Sequence, residues 1–233
     1  MMKVYLSANK YTEKQAEDAK RVRESLEAQG FEFCENPSEC QLVVSLGGDG
    51  AVLKAAKFAI AEGKPLIGIN SGRLGYLCAL KLQDIDSFKD VLKGAKRSER
   101  LILEVRVGNE SFFAVNDMIF GKRYFGQTVE IESLSEGKSL LSVRGDGLIV
   151  STPTGSTAYN ANAKGPLVMS DVEAIVLTPV CADAKPLVIS SKRDIEVVLK
   201  RGDCDMFVDG RKVETEEKSF SIKRADVTLH LLV

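Results

Sequence analysis

The chain has 233 residues, 44% of them hydrophobic, and its 32 basic and 33 acidic side chains leave a net charge of -1. That balance disfavours a nucleic-acid partner, whose phosphates call for a basic excess, and no apolar run approaches the roughly 20 residues of a membrane span. Five scattered cysteines without a C-x-x-C pair indicate neither a disulfide framework nor a zinc site; the N-terminus turns polar too soon for a signal peptide, so a cytoplasmic location is expected.

Strand and helix signals alternate over the first hundred residues. Lys3–Leu6 reads as a short strand, and Thr12-Glu13-Lys14-Gln15 as a capping box opening a helix that runs to about Gln29 and stops at Gly30. Leu42–Leu46 is a continuous apolar run of the kind buried in a parallel sheet. Gly47-Gly48-Asp49-Gly50 interrupts it, and residues 51–61 have helical composition. A third strand, Leu66–Ile69, ends at Asn70, and residues 84–93 read as a further helix. Such alternation predicts a parallel α/β layer.

After about Ser98 the rhythm changes to short strands: residues 101–107, 111–115, 128–133, 139–143, 148–150, 174–177, 187–190, 195–199, 206–208, 219–222 and 227–232. An α/β domain (1–96) and a β-rich domain (97–233) are therefore expected, with the C-terminal end packing back on the first. His230 lies in the last of these runs and reads as a strand histidine, which leaves proton transfer to a carboxylate.

Gly47 to Gly50 sits where α/β proteins place ligands, beyond a strand end and at a helix start. Glycines let backbone approach phosphate, and the helix dipole favours negative charge. Asp49 is out of place beside a phosphate unless it takes a proton from an attacking hydroxyl, reaches phosphate through a metal ion, or merely caps the helix. No P-loop pattern and no G-x-G-x-x-G fingerprint is present.

Asn116-Asp117 follows an apolar strand, as a ribose-binding pair or as a simple turn. Arg144 and Asp146 are close enough to position a ligand or to pair with each other. Gly145 to Tyr159 is the most distinctive stretch. A β-branched run opens there into small hydroxyl residues and then into residues 158–163, a candidate first helical turn, together a cradle for a nucleotide. Val208-Asp209-Gly210-Arg211 reads as a hairpin turn.

In order and spacing, Gly47-Gly48-Asp49-Gly50, Gly68-Ile69-Asn70 with Leu74-Gly75-Tyr76-Leu77, Asn116-Asp117 and Gly145 to Tyr159 resemble the NAD kinases. The resemblance continues through Gly165-Pro166-Leu167, Leu177 to Cys181 and Asp209-Gly210, from about residue 41 onward. The glycine–aspartate motif is shared with diacylglycerol kinases and phosphofructokinases; the cradle is far more specific.

The resemblance implies a Rossmann-like α/β domain followed by a β-sandwich-type NAD-binding domain. It also implies transfer of a phosphoryl from ATP, or from polyphosphate, to the 2′-hydroxyl of NAD's adenosine ribose, with Mg²⁺ or another divalent metal on the donor. Asp49 would be the general base, and Gly48, Gly50 and Lys54 would meet the phosphates. Asn116, Asp117, Arg144, Asp146, Thr157, Ala158, Tyr159, Asn160, Ala161 and Asn162 would bind the dinucleotide. A homodimer or homotetramer is implied as well. The chain departs from the family's pattern in having Asp117 for Glu, Lys54 for Arg, Lys164 before Gly165-Pro166, a shortened loop after Cys181, Arg211 for Gln, and no helical tail beyond Val233. Two other readings share some features: a lipid kinase of the diacylglycerol type, and an NAD(P)-sensing module without turnover.

Overall fold

Runs that are apolar on both faces make the first sheet a buried one. β1 (Met2–Ala8), β2 (Phe31–Phe33), β3 (Leu42–Leu46), β4 (Leu66–Asn70) and β5 (Leu80–Lys81) pair in parallel, with β1 between β2 and β3, and β4 beside β3. Every residue of β3 and β4 is buried. The structure, a computed structural model, describes residues 1–9, 12–72 and 75–233.

Helix α1 (Glu13–Ala28) starts at the expected cap, the Thr12 hydroxyl accepting from the Gln15 N–H at 3.2 Å, and buries Ala19, Val22 and Leu26. Helix α2 (Asp49–Ala61) buries Val52, Ala55, Ala56 and Ala59, small side chains that let it lie close against the strands. The helix expected over 84–93 divides into a 3-10 stretch (Leu82–Ser87) and α3 (Phe88–Gly94). Asp84 leaves helical dihedrals, and the Ser87 hydroxyl donates to the Asp84 carbonyl at 2.7 Å, a local bond that competes with helix propagation. Strand β2 was not legible in the sequence, because three residues carry no readable alternation. β6 (Arg97–Arg100) and the chain's final strand (Leu229–Leu232) complete the sheet, the latter parallel to β4. This compact unit comprises Met1–Glu99 and Thr228–Val233.

The second unit, Arg100–Val227, consists of two six-stranded antiparallel sheets. One is built from β7 (Leu103–Val107), β8 (Glu110–Ala114), β10 (Val129–Ser135), β11 (Lys138–Gly145), β15 (Ile195–Arg201) and β18 (Ser219–Arg224), in the order β11-β10-β15-β18-β7-β8. The other contains β9 (Asp117–Lys122), β12 (Gly147–Ser151), β13 (Ala174–Val180), β14 (Leu187–Ser190), β16 (Cys204–Val208) and β17 (Arg211–Val213), in the order β14-β13-β12-β9-β16-β17. Period-two alternation, clearest along β10, turns one face of each sheet inward. Ile131, Val143, Val197 and Phe220 from one sheet meet Phe120, Leu148, Val150 and Ile175 from the other in a single core. The Phe120 and Phe220 rings lie 5.0 Å apart across it. The unit is a β-sandwich.

Candidate functional site

In the first unit the chemistry gathers where β3 hands over to α2. Gly48 caps the helix with extended dihedrals and Asp49 is its first residue. Gly48 and Gly50 are exposed, and a Cβ added to either would meet nothing within 4 Å, so the backbone there is open to a ligand. They border a cleft of about 370 Å³ that also takes in Asn9, Ala51, Lys54 and Ser71. The Lys54 ammonium donates to the Asn9 side-chain oxygen at 3.2 Å, which holds a cation at the cleft edge one turn beyond Asp49. Helix N-terminal N–H groups, the dipole and this lysine together favour phosphate.

Asp49 does not cap its helix. Its carboxylate turns to the loop after β4, accepting from Tyr76 N–H at 3.0 Å and Leu77 N–H at 3.1 Å. Gly75 makes this approach possible: a Cβ there would stand 2.1 Å from Asp49 Oδ1. A carboxylate oxygen that accepts one N–H keeps a second lone pair for another donor. The Cys78 thiol lies behind this carboxylate and is pushed up to about 11 by burial and then by the Asp49 charge, so it stays protonated. Arg73 and Leu74, which precede Gly75 in the loop motif, lie outside the described residues.

In the second unit, Asn116 and Asp117 stand at the start of β9, Asn116 half-buried and Asp117 4% exposed. Burial, and then the neighbouring Asp209, push the Asp117 carboxyl up to about 7. Asp209 and Gly210, with φ 47° and 74°, form the expected two-residue hairpin turn between β16 and β17. The Asp209 side chain does more than the turn requires. It accepts from the backbone N–H groups of Val115, Asn116 and Asp117 at 2.9, 2.8 and 3.2 Å. Sequence reading missed this, because nothing local to a hairpin points to a partner more than ninety residues upstream.

Much of the long cradle's polarity is turned on the protein's own frame. Several of its hydroxyls bind the protein itself: Thr152 Oγ1 donates to the Val115 carbonyl at 2.6 Å, and Ser156 Oγ donates to that of Pro153 at 2.7 Å while accepting from the Val168 N–H at 3.0 Å. Its helical element is one turn, α4 (Tyr159–Asn162), after a 3-10 turn at Thr154–Thr157, too short to build a useful dipole. Asn160 is wholly buried, donating to the carbonyls of Ser156 and Pro166 and accepting from Thr178, so its amide pins the loop. Thr157, Ala158 and Ala161 are half-buried, while Tyr159 and Asn162 are exposed; these are the positions the loop presents outward. Arg144 and Asp146 do not pair with each other. Arg144 faces Glu130 at 3.8 Å on the sandwich surface, and Asp146 holds Lys122 at 2.7 Å.

The fit of sequence to known families is specific. Residues 2–95 match the family model for the ATP-NAD kinase N-terminal domain, and residues 115–224 that for the ATP-NAD kinase C-terminal domain. An NAD kinase from Sulfurimonas denitrificans is 34% identical over 216 residues, covering 88% of this chain and 76% of that protein. The chain belongs to the NAD kinase family. It spans 61 to 76% of the length of three curated NAD kinases that it matches. Two solved family structures share its fold. A yeast NADH kinase complexed with NADH has a TM-score of 0.83 at 20% identity, covering 100% of this chain and 83% of that one. An Archaeoglobus fulgidus NAD kinase in complex with ATP has a TM-score of 0.81 at 23% identity, covering 99% of this chain and 92% of that one.

The carboxyl of Asp117 makes stability depend on pH with a definite sign. An unfolded aspartate titrates near 3.9, whereas folded Asp117 titrates at about 7. Between those values the folded state keeps a proton that the unfolded state has released, so this group's stabilisation is complete below pH ~4, falls as pH rises, and levels off above pH ~7. Comparing wild type with Asp117→Asn by denaturant unfolding at pH 4.5 and pH 8 should show wild type losing on the order of 2–4 kcal/mol relative to the variant at the higher pH. Parallel pH profiles for the two proteins would contradict a raised Asp117.

Proposed function

We propose that this chain is an NAD kinase that moves the terminal phosphoryl of ATP to the 2′-hydroxyl of NAD's adenosine ribose, giving NADP. The observation that carries the reading is the pairing of an open, lysine-edged, glycine-walled cleft with a carboxylate anchored beside it by two backbone N–H groups. In this scheme Gly48, Gly50 and Lys54 receive the donor phosphates, and Asp49 takes the proton from the attacking 2′-hydroxyl. Asn116, Asp117, Thr157, Ala158, Tyr159, Ala161 and Asn162 hold the dinucleotide; Arg144 and Asp146 contact it toward the nicotinamide end, and Asn160 shapes its loop. Polyphosphate is the alternative donor.

The phosphate donor carries Mg²⁺ or another divalent ion, which neutralises charge on the transferred group. Among the described residues no cluster of three or more His, Cys, Asp or Glu side chains is gathered to hold a metal. Five free thiols accord with a cytoplasmic protein, and no described helix is long and apolar enough to cross a membrane. We further propose a homodimer or homotetramer, which light scattering on the purified chain tests directly.

Incubating the purified chain with NAD, ATP and Mg²⁺ should yield NADP in a coupled assay, with polyphosphate replacing ATP in a parallel arm. A lipid kinase would phosphorylate diacylglycerol instead, and a sensing module would bind NAD without turnover. No NADP with either donor would sink the proposal.

A further inference from the structure

We propose that Asp209 is a positioning residue for the dinucleotide, acting through the backbone of Asn116 and Asp117; this rests on the NAD kinase reading above. The hairpin between β16 and β17 does not need a carboxylate. A type I′ turn with φ 47° and 74° at its two central positions accepts Asn-Gly or Gly-Gly equally well. A carboxylate here even adds repulsion, since Asp209 helps to raise its neighbour Asp117.

What the carboxylate provides is an anion for three consecutive amides. Oδ1 accepts from the N–H groups of Asn116 (2.8 Å) and Asp117 (3.2 Å), and Oδ2 from that of Val115 (2.9 Å). Three convergent backbone donors form an anion-binding concavity, filled here by a side chain. Charge-assisted bonds of this kind are the strong ones. The register of β9 on β16, Val208 opposite Met118, delivers Asp209 to this point, and its own N–H donates to the Asp117 carbonyl at 3.0 Å.

The opposite edge of the same segment is held too. Thr152 Oγ1 donates to the Val115 carbonyl at 2.6 Å, and the Thr152 N–H to that of Asn116 at 2.8 Å. Residues 115–117 are thus clamped through both their donors and their acceptors, which fixes where the half-buried Asn116 side chain stands to meet a ligand, with buried Asp117 beside it. Binding that relies on such a clamp avoids the cost of ordering the segment when ligand arrives.

Asp209→Gly keeps the turn and removes the carboxylate, and Asp209→Asn keeps the turn and one acceptor oxygen. Three measurements on the full chain test the idea: KM for NAD and for ATP, the melting temperature, and amide exchange at Val115–Asp117 without ligand. Asp209→Gly should raise KM for NAD at least ~10-fold, leave KM for ATP within about twofold, and speed exchange of these amides at least ~10-fold; Asp209→Asn should recover part of each loss. A folded Asp209→Gly with KM for NAD within about twofold of wild type overturns the proposal. So does a parallel rise in both KM values, or failure of both variants to fold, since either makes Asp209 a general structural residue. If the wild-type chain makes no NADP, the function reading has failed, and Asp209 is then judged by amide exchange alone, unchanged exchange overturning its role.

Discussion

Replacing Asp49 by Asn should cut kcat by a factor on the order of 10² or more while NAD still binds, because an amide cannot accept the 2′-hydroxyl proton. The substitution is nearly isosteric, so the loss is not one of packing. It does have a structural side effect. Asp49 accepts two N–H bonds, from Tyr76 and Leu77, and an Asn side chain can meet only one of them with its oxygen. The other donor loses its partner, which costs on the order of 1–2 kcal/mol and loosens residues 75–77 slightly. Melting temperature and NAD affinity must therefore be measured beside turnover. A folded Asp49→Asn enzyme with more than about a tenth of wild-type kcat would show that Asp49 is not the base. A variant that loses NAD affinity as steeply as turnover would instead make Asp49 a ligand contact.

The second large effect is expected at Gly155. A Cβ added there would sit 2.1 Å from the Asn116 carbonyl oxygen and 2.4 Å from its carbon, and both belong to backbone that is held elsewhere. That carbonyl accepts from the Thr152 N–H at 2.8 Å, and the Ser151 hydroxyl, which donates to the Thr152 carbonyl at 2.9 Å, lies 3.3 Å from it. Neither side can yield without breaking these bonds, so Gly155→Ala should destabilise the chain by about 3 kcal/mol, roughly 10 °C in melting temperature. KM for NAD should rise in any folded fraction, because the displaced carbonyl is that of Asn116. Gly94→Ala is the control, since a Cβ there meets nothing within 4 Å at the end of α3. If Gly155→Ala melts with that control, the close approach of the cradle to Asn116 is not what holds this segment.

Both effects show how far the candidate site could be read before its fold was known. The glycine–aspartate turn was legible because it is local: a buried apolar run, an interruption by glycines and a helix follow one another within twenty residues. The cap at Thr12 was legible for the same reason. The cradle was legible as a ligand segment by its composition, yet the reason for its hydroxyls was not. Thr152 and Ser156 bond to backbone groups of Val115, Pro153 and Val168, partners that composition does not name. Nor did the spacing of Arg144 and Asp146 disclose that each pairs with another residue, Glu130 and Lys122.

By itself, then, the sequence determined the kinds of layer and the kind of chemistry. Periods of 3.6 and 2.0, continuous apolar strands and glycine placement act over a few residues, and those residues are adjacent in the chain. The tertiary structure alone decided which groups face a ligand and which hold the frame. Asp49 turns from its own helix to residues 76 and 77, Asp209 closes on residues 115–117, and Asn160 locks against Thr178. Each of these contacts is set by strand register or by a steric opening at a distant glycine, and strand pairing carries such information across ninety residues where local periodicity carries none.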